Sequence, residues 1–486
     1  MIKAACAHIA AERSKVNARY KGGYHLSPEL GWMNDPNGFV YFNGRYHMFW
    51  QYHPFAANNG LMYWGHAVSE DLVRWKHLPV ALAPDRDYDA DGCWSGSAVV
   101  RGGRLYLVYT GHRERDGRRV QTQNLAYSDD GVNFVKYEGN PVIGEDKLPR
   151  GASIADFRDP YVWERGGVYY MLVGTVEEGA AKVVLYRSGN LIDWEFFNTF
   201  LRRTGAGFCW ECPSLIDTDG VDLFACSPVD YPHGKRAFAN LNSNVYAVGK
   251  VDYSNGTMTA GEFYEIDGGS DFYAAQLIKG KDGAAVMTGW MNMWGRTYVP
   301  AELGDGWTGS LILPREVSVR GGKLIQRPVR AVYAYCKNRV EVDGVLSGEK
   351  SYEKIRGRQV RLVITADLGG AKSFAVHVFS ACGARAKIIY DKAAGVLTLD
   401  RSECFHKISA DPRDLGGERR SAEFIPQGNI LRLEIFLDRS SIEVFAGEGE
   451  LVMTSLAYGA PDADGIVFVS EGETAVKIIK EDVVAD

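Results

Sequence analysis

The chain has 486 residues, 46% hydrophobic and 12% aromatic, with 26 Tyr and 11 Trp, and a formal net charge of −6. That length exceeds what one hydrophobic core ordinarily serves, so two domains are expected, and the mildly acidic balance gives no general basic footprint for nucleic acid. No run of about 20 apolar residues is available to cross a membrane, and eight irregularly spaced cysteines read as reduced thiols of a cytoplasmic protein more than as a disulfide framework.

The opening stretch MIKAACAHIAAERSK is too short and too polar for the apolar core of a secretory signal. GWMNDPNG follows at 31–38. A tight turn, with Pro36 fixing φ and Asn34 or Asp35 bonding back to nearby amides, accounts for this cluster by itself. The acid Asp35 and the flanking Trp32 and Phe39 gain meaning only from the rest of the chain.

The chain then repeats itself. NGRYHMFWQY (43–52), GGRLYLVYTG (102–111), GGVYYMLVGT (166–175), DGVDLFACSP (219–228) and DGAAVMTGWM (282–291) each place a Gly turn before an apolar strand. A second series, AVSEDLVRW (67–75), AYSDDGVNF (126–134) and LYRSGNLIDW (185–194), follows the first three, each with a Ser opening a polar turn that closes on an aromatic. A period of roughly 60 residues suits a four-stranded blade with generous loops. Five copies predict an all-β fold that begins with a five-bladed β-propeller over 1–330, short N-terminal extension included. A β-sandwich with accidental resemblance among its strands is the competing architecture.

Beyond LPREVSVRGGKLIQRPV the pattern changes. Residues 331–342 read as a short helical linker, and 343–486 as an antiparallel β-sandwich, because strands such as RQVRLVITADL and SFAVHVFS alternate apolar and polar residues between closely spaced turns. DRSSIEVF (438–445) lies on one of these strands, and an interior structural role fits it better than a separate sugar-binding site.

A propeller gathers the early residues of each blade around its central channel. Asp35, Asp159 in DFRDPYVW and Glu211 in FCWECPSL each lie about one strand ahead of their blade's Gly-turn marker, so the three acids converge on one mouth. Glycoside cleavage needs such a set, one ionised carboxylate at the anomeric carbon and one protonated carboxyl at the leaving oxygen. A metal site is the other use of clustered carboxylates, but no His stands at ligand spacing beside them. Cys209 and Cys212 form a lone C-x-x-C with no second pair, which favours burial beside the acid over a metal or redox role.

With these residues in view the chain resembles glycoside hydrolase family 32, the β-fructofuranosidases (invertases and sucrose-6-phosphate hydrolases), over essentially its whole length. The matching stretches are WMNDPNG (32–38), FWQYHP (49–54), MYWGHAVSEDLVRW (62–75), WSGSA (94–98), FRDP (157–160), WECP (210–213), DFYAAQ (271–276), GWMNMW (289–294), LPRE (313–316) and DRSSIEVF (438–445). The resemblance implies a five-bladed propeller with a C-terminal β-sandwich and retaining hydrolysis of terminal β-D-fructofuranosyl groups. It makes Asp35 the nucleophile, Glu211 the general acid/base and Asp159 the transition-state stabiliser. Trp32, Asn34, Gln51, Trp64, Trp94, Ser95, Arg158, Trp290 and, as an addition, Asp267 match positions that bind the fructosyl unit.

No cofactor or metal is implied, and the partner is a small sugar such as sucrose, sucrose 6-phosphate or a short fructooligosaccharide, with self-association left open. The chemistry requires opposite environments for two carboxyls about 5–5.5 Å apart, with Asp35 ionised and Glu211 protonated near neutrality. A fructosyltransferase would use the same catalytic set, and a fructan-binding propeller with lost catalysis would lack one of the acids.

Overall fold

The Gly-turn markers determine the blades. In the computed structural model, which describes residues 1–485, Asn43-Gly44, Gly102-Gly103, Gly166-Gly167 and Asp219-Gly220 all have positive φ at both positions. These are two-residue hairpin turns whose twist matches that of the flanking strands. Each marker therefore becomes the second strand of an antiparallel blade and the segment before it the first.

Blade I contains Gly31–Phe42, Arg45–His53, Tyr63–Ser69 and Lys76–His77; blade II contains Cys93–Arg101, Arg104–Arg115, Arg118–Ser128 and Val135–Lys136. Blade III contains Phe157–Arg165, Val168–Glu177, Ala180–Ser188 and Glu195–Arg202; blade IV contains Trp210–Thr218, Val221–Pro228, Val245–Asp252 and Thr257–Ala260. Blade V contains Tyr273–Lys279, Ala285–Trp290, Arg315–Arg320 and Lys323–Pro328. The first strands pack on one another in a closed cycle around the channel. Trp307–Thr308, from the long connection within blade V, pairs in parallel with Gly31–Trp32 and ties blade V to blade I.

The second repeat series is one turn built three times. The hydroxyls of Ser69, Ser128 and Ser188 accept from the amides of Leu72, Gly131 and Leu191 at 2.7, 2.9 and 3.0 Å, and the residue two after each Ser (Asp71, Asp130, Asn190) accepts from the next amides. Leu72, Gly131 and Leu191 all sit near φ 70°. Local side-chain capping pays for left-handed leucines here, and the aromatics that close the turns, Trp75, Phe134 and Trp194, then pack inward.

A six-residue 3₁₀ segment, Arg330–Tyr335, leads out of the propeller. The second half of the expected linker is strand, because Cys336–Arg356 finds an antiparallel partner in Gly465–Val483. That partner is the spine of the C-terminal domain. Its residues 465–471 pair with Ser373–Ala381 and its residues 475–482 with Val360–Asp367, so one hydrogen-bonded path folds over into a sandwich around a single apolar core.

Buried charge docks the sandwich on the propeller. His25 lies between two carboxylates of DRSSIEVF, with Nδ1 2.8 Å from Asp438 and Nε2 2.8 Å from Glu443. Glu443 also accepts from Arg315 at 2.8 Å, and Arg315 donates to Asp267 at 2.9 Å. Nearby, Arg296 bridges Asp271 and Asp414, and Arg401 reaches the other oxygen of Asp271 at 2.5 Å.

Burial alone would disfavour a charged His25, but the two carboxylates win and push its pKa up to about 9. A pKa raised above the unfolded 6.5 contributes stability that is complete below pH 6.5 and is lost as pH rises through 9. His25→Ala should therefore cost about 3–5 kcal/mol near pH 6, as expected when a buried pair loses one partner. Urea denaturation from pH 6 to 10 should show the wild type losing stability over that window and the variant lacking that slope; parallel pH profiles would contradict the assignment.

Candidate active site

Each innermost strand carries one extra residue near its start. The pairing skips between Met33 and Pro36, between Trp94 and Gly96, between Arg158 and Tyr161, between Glu211 and Ser214, and between Tyr273 and Gln276. A bulge bends a strand and re-aims its side chains. Asp35 and Asp159 fall inside their bulges, as Ser95 does in blade II, and Glu211 stands at the edge of the fourth. Pro160 and Pro213 fit because a bulged position need not donate to the ladder.

Bonds between blades hold these bends in place. The Gly96 amide donates to Asn37 Oδ1 (3.2 Å), Val162 to Ser97 Oγ (2.9 Å), Cys212 to Asp159 Oδ2 (2.9 Å), Leu277 to Ser214 Oγ (3.1 Å) and Phe39 to Gln276 Oε1 (3.1 Å). In every case an inner-strand amide reaches a side chain of the preceding blade, and the series closes on itself.

The three acids meet at this mouth with different partners. Asp35 Oδ2 accepts from Ser95 Oγ at 2.9 Å, while its Oδ1 is buried without a partner. Glu211 Oε1 lies 3.1 Å from both Nε and Nη2 of Arg158, and Oε2 accepts from the Tyr273 hydroxyl at 2.6 Å. Asp159 Oδ2 takes the Cys212 amide, and the Cys212 sulfur lies 3.7 Å from it and 3.9 Å from Asp35 Oδ2. Arg158 is steadied by Asp156 at 3.1 Å.

Burial pushes the Asp35 carboxyl up to about 7, helped by the charges of Glu211 and then Asp159. Burial and the Glu211 charge likewise raise Asp159 to about 6, although Arg158 opposes the shift. Asp35 and Glu211 stand in different environments. The cation and the strong donors belong to Glu211.

Aromatic residues wall the mouth. Trp32 Nε1 donates to Asn34 Oδ1 at 2.7 Å, and the Trp32 ring meets Trp290 edge-on at 5.8 Å. Gln51 and Trp64 donate to the carbonyls of Cys93 and Trp94 at 3.0 and 3.1 Å. Trp94, half-buried, stacks on His112 at 3.8 Å.

Two family models divide the chain between them, the glycosyl hydrolases family 32 N-terminal domain over residues 25–328 and the family's C-terminal domain over 331–484. The chain belongs to glycosyl hydrolase family 32. It is a glycoside hydrolase of the β-fructofuranosidase class, and its relatives match over most of their length. A sucrose-6-phosphate hydrolase of Escherichia coli is 37% identical over 90% of this chain and 89% of its own, and a raffinose invertase of Escherichia coli is 38% identical over 91% and 90%. Among solved structures, a Bombyx mori beta-fructofuranosidase in complex with sucrose superposes with a TM-score of 0.84 at 34% identity, covering 98% of this chain and 97% of its own. The sucrose-6-phosphate hydrolase of Lactobacillus gasseri gives 0.88 at 27% identity, covering 99% and 97%.

One family-32 position expected at the sugar lies elsewhere in this chain. Asp267 is fully buried at the domain interface, where Oδ1 accepts from the amides of Gly269 and Thr454 and Oδ2 from Arg315 and the Thr454 hydroxyl. Its acceptor capacity is spent on docking the sandwich. Conversely, Tyr273 contacts Glu211 directly without having been singled out. The signal was present, since Asp35, Trp94, Asp159, Glu211 and Tyr273 all stand seven to nine residues ahead of their Gly-turn markers.

A raised Asp35 pKa means that the native state binds this proton more tightly than the unfolded chain does. Its contribution to stability is complete below about pH 4 and is lost as pH rises through 7. Asp35→Asn keeps the shape and removes the charge, so it should be more stable than wild type at pH 8 by about 1–3 kcal/mol, with the gap closing towards pH 4. Thermal melts at the two pH values check this, and an equal gain at both would show that the carboxylate charge is not the cause.

Proposed function

We propose that this family-32 enzyme hydrolyses the terminal β-D-fructofuranosyl unit of sucrose and sucrose 6-phosphate with retention of configuration. The observation that carries the reading is the convergence of Asp35 and Glu211 at one mouth, with Asp35 Oδ2 fixed by Ser95 and Glu211 held by Arg158 and Tyr273. Asp35 Oδ1 attacks the anomeric carbon as the glycosidic bond breaks, and Glu211 gives its proton to the leaving oxygen. Water, deprotonated by Glu211, then releases fructose from the ester.

The anomeric carbon of fructofuranose is tertiary, so positive charge develops strongly in the transition state and the surrounding carboxylates stabilise it. Asp159 grips the ring hydroxyls, with Asn34, Gln51, Ser95, Arg158 and the Trp32, Trp64, Trp94 and Trp290 walls completing the fructosyl site. No helix of the described residues is long and apolar enough to cross a membrane, and all eight cysteines are free, which fits a cytoplasmic enzyme.

Glu211→Gln keeps the shape and cannot donate a proton. Its rate on sucrose should fall by about 10²–10⁴-fold, while the first step with fructosyl fluoride, whose leaving group needs little protonation, is largely spared. Equal losses on both substrates would remove Glu211 as the acid.

The 6-phosphate needs cations at the rim. The hairpin 111–124 rises to the same end of the channel, since Thr110 accepts from the Asp159 amide at 2.9 Å and His112 backs Trp94. Its Arg118 and Arg119 are about half exposed, paired with Glu145 and Glu114. A phosphate dianion would compete with these exposed acids, whose pairing is weak in water. Replacing both arginines by Gln should raise KM for sucrose 6-phosphate about tenfold or more and affect sucrose far less. Parallel losses on the two sugars would reject the phosphate role.

A further inference from the structure

The distribution of donors among the three acids bears on a question the catalytic roles leave open, namely where the proton sits before substrate arrives. Glu211 is the carboxyl with the most charged donors. Two N–H groups of Arg158 face one oxygen and the Tyr273 hydroxyl faces the other at 2.6 Å. A carboxylate that receives several donors, one of them a cation, is held in its charged form.

The aspartates lack such support. Asp35 receives the Ser95 hydroxyl, the neighbouring Asn34 side chain and the weak Cys212 thiol, none of them charged. Asp159 receives one amide and the same thiol. Among the described residues no cation is paired with either, because Arg158 is committed to Glu211 and Asp156. The other titratable groups at the mouth do not alter this: Tyr273 and the buried thiols of Cys209 and Cys212 all stay protonated, their pKa values raised by burial.

We propose that the resting enzyme carries its catalytic proton on the Asp35–Asp159 pair, with Glu211 ionised, and that binding of the fructosyl unit moves that one proton to Glu211. Charging three acids beside one cation is costly in a largely buried site, and the proton settles on the acids with the fewest charged donors. The burial that raises both aspartates works in the same direction. When fructose hydroxyls donate to Asp159, they replace what the proton supplied, and it transfers to Glu211, so that one carboxyl is lost and one gained.

The site accommodates the new state without rearrangement. The Tyr273 oxygen also lies 3.2 Å from the Ser227 carbonyl, so its hydroxyl can turn there and accept from a protonated Glu211. The productive form, Asp35 ionised with Glu211 protonated, is then the minor form of the free enzyme.

This inference rests on the fructosidase reading above, and the test separates the two. For sucrose, kcat/KM should be bell-shaped in pH. For fructosyl fluoride it needs only ionised Asp35, so it should rise and then stay flat. If the proton rests on the aspartates, the midpoint of the fluoride's rise, near pH 7, coincides with the midpoint of sucrose's descent. If it rests on Glu211, the fluoride's rise coincides instead with sucrose's acid limb, and the proposal is overturned.

Glu211→Gln provides a second reading on fructosyl fluoride. Removing an anion beside Asp35 should move the rise to lower pH by about one unit, whereas replacing an already neutral acid would leave it in place and overturn the proposal. If wild type fails to turn over the fluoride at all, the fructosidase reading fails first, and this inference with it.

Discussion

The site depends on the cyclic series of hydrogen bonds that joins each inner strand to the blade before it. The innermost strand of a blade has no ladder partner on its channel side, and an amide facing that buried wall must find another acceptor. Asn37, Ser97, Asp159, Ser214 and Gln276 supply those acceptors, one per blade. The bends that aim the acids are thus fixed by neighbours on both sides. Asp159 belongs to the series itself, so one of the three acids is held by the structure it serves.

Two strongly charged regions lie in one molecule and are resolved in opposite ways. At the domain interface every carboxylate has a cation or several amides, and Asp438 and Glu443 stay below the usual carboxylate range because His25 stands between them. At the channel mouth the one arginine pairs with Glu211, and the two aspartates beside it are raised towards neutrality. The interface spends its buried charge on orientation of the sandwich. The mouth retains an electrostatic conflict, and residues in such conflict cost stability, as is common at functional sites.

The sequence carried much of this in its punctuation. Asn43-Gly44 and its counterparts mark hairpins by local stereochemistry, and the Ser-x-Asx turns are bonded within five residues, so both series were legible without a fold. Their spacing placed Asp35, Asp159 and Glu211 at matching points of different blades. Asp267 failed for the converse reason. Its environment is made by Arg315 and by Thr454 of the other domain, and nothing near it in sequence announces either. Residues 336–342 were read as linker because the partner that makes them strand lies more than a hundred positions away.

By itself, then, the order of residues determined the all-β class, the five blades, the second domain and the three acids, since each follows from short-range turn chemistry and its repetition. Tertiary structure decided what those acids are to one another. That Arg158 and Tyr273 both face Glu211, that Ser95 holds Asp35, and that Cys212 stands between the two aspartates are consequences of ring closure. Electrostatic interaction depends on distance and burial in space, and the sequence separations of 53, 62 and 177 residues among these contacts contain neither.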